Sequence, residues 1–216
     1  MGHGLGENRM RFLRVAQLLA KRGYGSLFFD WRAHGDSEGE ISTWSDREQS
    51  DFLAAVDFAL RRGDVTAGRI AGLGFSIGAS TVALAGARDP RIRAVIVEAV
   101  FPSFDEELKD KMGKWGPLSL WPAHAAARFS GVDFDRIRPI AHIAEIAPRP
   151  ILFIAGTRDS DTPLPFVRMV YDVAGQPKEL WIAQGAEHGE YRIVAPEEYE
   201  RTLIGFLDRP FFEEHG

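Results

Sequence analysis

A serine stands between two glycines in Gly74-Phe75-Ser76-Ile77-Gly78, where the apolar run Arg69 to Phe75 gives way to a helical one through Ala79, Val82, Ala83 and Leu84. A strand turning this sharply into a helix holds its serine in a strained backbone conformation, and a side chain at either flanking glycine would collide with neighbouring backbone. The helix N-terminus that begins there offers free N–H groups and the positive end of a dipole to a developing oxyanion. The chemistry so served is attack by a hydroxyl. The same window also spells Gly72-Leu73-Gly74 followed by Gly78, a variant of the glycine-rich dinucleotide loop. Glu98 ends the next apolar run, where a ribose-binding acid would stand. The remainder of the chain has to choose between the two.

A serine hydroxyl is a poor nucleophile until a neighbouring base takes its proton, so the first reading demands a histidine and an acid further along. Pro150 to Ala155 is an apolar run leading into Gly156-Thr157-Arg158-Asp159, and Glu179 to Ala183 leads into Gln184-Gly185-Ala186-Glu187-His188-Gly189. Each of these places a candidate just past the carboxyl end of a strand, on the sheet edge where α/β proteins build sites. The order Ser76, Asp159, His188 is one known to serve nucleophilic hydrolysis. Asp161 shares the loop of Asp159, and Glu98 follows an adjacent strand, so both compete for the role of acid. His124 and His142 lie in or beside the irregular segment described below and read as structural. No His and carboxylate spacing indicates a metal site.

The elements that must position these groups are legible as an alternation. Gly25 to Trp31, Arg69 to Phe75, Ala94 to Ala99, Pro150 to Ala155 and Glu179 to Ala183 are short apolar runs suited to buried parallel strands. Between them Phe12, Val15, Ala16, Leu18 and Leu19 recur at helical spacing, as do Phe52, Ala55, Val56, Ala59 and Leu60; Ile77 to Ala87 and Tyr199 to Leu207 complete the set. Strand and helix alternating in this way predict an α/β fold with a doubly wound, mostly parallel sheet. Phe101 to Pro139 breaks the rhythm. Its prolines, glycines and aromatics (Phe101, Phe104, Trp115, Trp121, Phe129 and Phe134) read either as a cap of about residues 101–139 lining an apolar pocket or as a surface excursion whose aromatics pack onto the domain.

With 216 residues, 45% apolar and 26% charged, the chain suits a single domain spanning 1–216. A formal charge of −5 with scattered Lys and Arg offers no face for a nucleic-acid backbone, which leaves small molecules as substrates. Having no cysteine, the chain forms no disulfide, Cys-ligated metal site or thiol nucleophile. No apolar run approaches a membrane span and no signal-peptide core is visible, so a cytoplasmic, soluble protein is expected.

The chain resembles the α/β-hydrolase superfamily, most closely its serine esterase and serine aminopeptidase-like branch. His3-Gly4-Leu5-Gly6 looks like that family's oxyanion-loop motif. Asp30-Trp31-Arg32-Ala33-His34-Gly35-Asp36-Ser37 is similar to its D-x-R-G-H-G-x-S segment, with Ala33 in place of the usual glycine. Gly156 to Pro163 resembles the stretch that holds the acid, and Gly185 to His188 the stretch that holds the base. The resemblance implies Ser76 as nucleophile, His188 as base, Asp159 as acid, and the backbone N–H groups of Leu5 and Ile77 as the oxyanion hole. His3 and His34 are then scaffold. It further implies a serine hydrolase cleaving a small ester, thioester or amide through an acyl-enzyme without a cofactor; the alternative is a degenerate hydrolase acting as a binding module. In the family a central strand leads into the oxyanion motif, preceded by two antiparallel strands, and Met1 leaves no room for it. A gap is therefore expected between Gly25–Trp31 and Arg69–Phe75, with the isolated chain poorly soluble or inactive until an upstream extension is supplied.

Overall fold

The computed structural model describes residues 1–66, 68–113, 116–129 and 131–209, and Trp115 lies outside them. Four of the expected strands form a parallel sheet in the order β1 (Ile70–Phe75), β2 (Ile92–Glu98), β3 (Ile151–Gly156) and β4 (Lys178–Ala183). Side chains alternate across a strand. Val95 and Val97 with Ile151, Phe153 and Ala155 accordingly enter one core, and Ile96 with Leu152 and Ile154 enter the other. The first face is covered by α2 (Glu48–Leu60), α3 (Ile77–Arg88) and α6 (Leu164–Val173), the second by α1 (Leu13–Ala20) and α7 (Pro196–Leu207). Two-sided burial of this kind stabilises each enclosed Val, Ile, Leu or Phe by roughly 1.5–3 kcal/mol and is why these strands read as continuous apolar runs.

α3 is buried all round from Ile77 to Gly86, which accounts for its run of Gly, Ala, Ser and Thr. Gly86 lets the helix sit against β2, since a Cβ there would come within 2.8 Å of Val95. In register, Phe75 pairs with Glu98, Glu98 with Ile154, and Ile154 with Trp181. The carboxyl ends of all four strands are thus level, and the loops after β1, β3 and β4 open on one edge.

Gly25–Trp31 departs from expectation, because it joins no strand ladder. A ladder needs a partner edge, and the neighbour here is only Met1–His3. Gly2 makes one parallel bridge to β1, donating its N–H to Leu73 C=O (2.9 Å) and accepting from Phe75 N–H (3.0 Å). On its other side the Met1 amine donates to Leu27 C=O (2.7 Å), and Trp31 N–H donates to His3 Nε2 (3.1 Å). Beyond Met1 the two flanks do not close on each other: a cavity of about 850 Å³ lies between Tyr24–Phe29 and Arg69–Ala71, roofed by Phe52 and Val56 of α2.

The cap is mostly helical. α4 (Phe104–Met112) starts at Ser103, whose Oγ accepts from Glu106 N–H (3.2 Å), with Asp105, Glu106 and Glu107 favourably placed in the first turn. α5 (Pro117–Phe129) and a short 3₁₀ turn, Phe134–Arg136, follow. Its aromatics divide, contrary to a uniform pocket lining. Phe101, Phe104 and Phe134 pack with Ile77, Val132 and Ile137, whereas Trp121 (78% exposed) and Phe129 (92%) face outward. No helix among the described residues is long and apolar enough to cross a membrane.

Candidate active site

Ser76 sits between β1 and α3 with φ 55° and ψ −121°, a combination that costs a non-glycine residue about 1–3 kcal/mol. It is held there by its N–H on Glu98 C=O (2.8 Å) and by its own C=O, which accepts from Ala79 (2.9 Å) and Ser80 (3.1 Å). The flanking glycines are sterically required. A Cβ on Gly74 would lie 2.1 Å from Gly78 O, and one on Gly78 would lie 2.1 Å from Gly2 O. The second contact shows that the elbow is built against the first residues of the chain. Ile77 opens α3, so its N–H has no acceptor within the helix.

His188 and Asp159 meet from the loops after β4 and β3. His188 Nδ1 lies 3.0 and 2.9 Å from the two carboxylate oxygens of Asp159. Asp159 Oδ1 also accepts from the N–H groups of Asp161 (2.9 Å) and Thr162 (2.8 Å), and Oδ2 from the Tyr191 hydroxyl (3.2 Å). The buried Asp159 carboxyl is therefore hydrogen-bonded at both oxygens, as burial requires. Asp161 points elsewhere. Its carboxylate is 63% exposed and pairs with Lys111 of α4 (3.1 Å), which holds it below the usual carboxylate range and ties α4 to the loop that carries Asp159.

Glu98 is turned into the core, where it accepts from the Tyr199 hydroxyl (2.6 Å) of α7 and where burial raises its pKa. A carboxyl so enclosed is bonded away from His188, whose Nδ1 meets Asp159 instead. On α4, burial also pushes Glu107 up to about 7.

At the start of the chain His3 is buried and acts on both sides. Its Nε2 accepts from Trp31 N–H, so Nδ1 carries the proton and donates to Gly4 C=O (2.8 Å). Because a trans peptide points its C=O and N–H in opposite directions, fixing Gly4 C=O also aims Leu5 N–H. The imidazole must stay neutral, and burial lowers its pKa. A histidine lowered in this way contributes stability that is fully present above its unfolded pKa of about 6.5 and is lost progressively as pH falls below that value toward the lower folded one. The thermal midpoint of the wild type should therefore drop more between pH 7.5 and 5.5 than that of His3→Asn. Equal drops would show that His3 is not the titrating group.

The segment after Gly25–Trp31 is a self-bonded turn. Asp30 accepts from Arg9 N–H (2.6 Å) and Asp36 N–H (3.0 Å), and Ser37 Oγ donates to Asp30 C=O (2.7 Å). Ala33 adopts φ 58°, the left-handed conformation for which glycine would be better suited. His34 bonds Arg32 C=O (2.9 Å), His142 bonds Glu145 (2.9 Å), and His124 lies 3.8 Å from Asp105. Among the described residues no group of three His, Asp or Glu side chains is placed to hold a metal. The sequence reading missed Tyr191 and Thr162, whose only local signal is nearness to His188 and Asp159.

Residues 1–131 match the family described as serine aminopeptidase, S33. The Bacillus subtilis protein YqkD is 30% identical over 213 residues, which span 95% of this chain and 69% of that one. The Pyrococcus furiosus esterase Pf2001 superposes with a TM-score of 0.77 at 28% identity, covering 96% of this chain and 80% of its own. The α/β hydrolase GrgF of Penicillium superposes at 0.78 with 19% identity, over 97% and 88% of the two chains, a likeness of fold. With this family match over residues 1–131 and its parallel, helix-covered sheet, the chain belongs to the S33 serine aminopeptidase-like family of α/β hydrolases.

Proposed function

We propose that this hydrolase cleaves a small ester, thioester or amide through an acyl-enzyme formed on Ser76. The observation that carries the reading is the His188–Asp159 pair, two hydrogen-bond distances of 3.0 and 2.9 Å, on the same sheet edge as a serine in a strained turn. In this mechanism Ser76 Oγ attacks the carbonyl carbon while His188 Nε2 takes its proton, and Asp159 holds the imidazole in the tautomer that leaves Nε2 free. The carbonyl oxygen becomes an oxyanion facing the N–H groups of Leu5 and Ile77. The tetrahedral adduct collapses as His188 returns the proton to the leaving group. Water then repeats the sequence on the acyl-enzyme, releasing the acid and restoring Ser76.

The acyl site is expected to be short, because Phe101, Phe104 and Phe134 occupy the space against Ile77, with Phe104 and Phe134 stacked at 4.4 Å. A p-nitrophenyl ester series should peak between acetate and octanoate, and a fluorophosphonate should label the protein. A maximum at palmitate would contradict the size argument alone. Failure of both hydrolysis and labelling in folded protein would overturn the acyl-enzyme reading and leave a binding module.

A further inference from the structure

Glu7 and Arg11 stand four residues apart behind the proposed oxyanion loop, and their contacts reach the other two loops of the site. Glu7 Oε2 accepts from Gly4 N–H (3.0 Å), and Glu7 Oε1 accepts from Arg11 Nη1. The Arg11 guanidinium lies flat over the Phe75 ring, 3.3 Å from its centroid, directly before Ser76. Its Nη2 reaches Gly189 C=O (3.5 Å), directly after His188, and the Phe75 ring is itself 4.6 Å from the His188 ring. The glycines confirm how closely these parts are fitted. A Cβ on Gly189 would come within 2.5 Å of Arg11 Nη2, and one on Gly4 within 2.9 Å of Phe75. Although it carries a charge, the Arg11 side chain is only 12% exposed.

We infer that Glu7 and Arg11 are positioning residues that lock the oxyanion loop, the nucleophile and the histidine loop into one arrangement. The inference rests on the acyl-enzyme reading. Glu7 holds the N–H of Gly4 while His3 holds its C=O, so the peptide planes on both sides of Gly4 are fixed, the second of them being the one that presents Leu5 N–H. An anion this near an oxyanion hole would oppose the charge that develops there. Arg11 neutralises it, and does so with a planar fork that can pair with Glu7, reach Gly189 and stack on Phe75 together, which a lysine cannot. Loss of Arg11 therefore has two effects: the loops loosen, and Glu7 is left as an uncompensated charge beside the oxyanion.

The test is a cycle of Arg11→Ala, Glu7→Gln and the double variant, with Arg11→Lys as a milder replacement should alanine fail to fold. Turnover of p-nitrophenyl acetate and affinity for an aryl trifluoromethyl ketone, which forms a tetrahedral oxyanion on the nucleophile, are measured on each folded protein. Arg11→Ala should lower kcat by about 10²-fold with KM within about threefold, and weaken the ketone in parallel, the loss typical of a misplaced oxyanion donor. Glu7→Gln keeps an acceptor for Gly4 and should lose less than about tenfold. Adding Glu7→Gln to Arg11→Ala, or to Arg11→Lys, should restore part of the lost turnover by removing the stranded charge. Turnover and ketone affinity unchanged in the Arg11 variant would overturn the inference. So would a double variant worse than the Arg11 single, which would mark Arg11 as packing for Phe75 only. A wild type that neither hydrolyses the ester nor binds the ketone would instead remove the acyl-enzyme reading on which the cycle depends.

Discussion

Ser76→Ala is expected to lower p-nitrophenyl acetate hydrolysis by about 10⁴-fold or more and to eliminate fluorophosphonate labelling, with the fold retained. The substitution removes one oxygen, and the backbone bonds that hold the turn, from Ser76 N–H to Glu98 and from Ala79 and Ser80 to Ser76 C=O, do not involve it. Alanine must still adopt φ 55°, so its stability should stay close to that of the wild type. Ser76→Gly separates chemistry from strain. It should be equally inactive yet more stable by about 1 kcal/mol, because glycine occupies positive φ without steric penalty. A serine variant that kept most of its activity would show that the acyl group is carried elsewhere.

The second large effect is expected at Asp159. Asp159→Asn should cost on the order of 10⁴-fold in kcat, since an amide can present its NH₂ to His188 Nδ1 and favour the wrong tautomer. The same change also weakens acceptance from Thr162, Asp161 and Tyr191, so a loss of stability should accompany it. Asp161→Asn removes an exposed pairing with Lys111 worth roughly 0–1 kcal/mol and should change kcat by less than about fivefold. Measured side by side, the two variants separate an acid that orients the imidazole from one that only tethers α4. Comparable losses at both positions, or a larger one at Asp161, would overturn the assignment of Asp159.

The central strands β2 and β3 were legible because they are buried on both faces, and that burial leaves an apolar run in the chain; the edge strand β4, half-buried up to Ala183, was legible from the shorter run Leu180 to Ala183. Gly25–Trp31 has an apolar run too, with Phe28, Phe29 and Trp31 all turned at least partly inward, and yet forms no ladder. An apolar run records that a segment is enclosed. Whether a second backbone lies alongside it over enough residues to pair is a property of the assembled sheet, and here Met1–His3 supplies a single bridge. The cap shows the same limit from the other direction, since its aromatics gave no indication that Phe104 and Phe134 would stack over Ile77 while Trp121 and Phe129 faced solvent.

For the candidate site, the sequence by itself offered a serine between two glycines at a strand-to-helix turn, the order Ser76, Asp159, His188, and the strand ends that carry them. Those features are local: Gly74 and Gly78 answer clashes within a few residues of Ser76 and with the adjoining Gly2, and a strand end is marked by the residues next to it. Only the tertiary structure decided that Asp159 rather than Asp161 or Glu98 meets His188, that Tyr191 and Thr162 complete its hydrogen bonds, and that Arg11 reaches across 178 positions to Gly189. Two aspartates in one loop are equivalent to any short-range pattern. What separates them is which one packing buries against a donor from a distant strand and which one it leaves to Lys111 and water, because hydrogen bonding and charge neutralisation are enforced at the place where the chain is buried and not at the position where it is written.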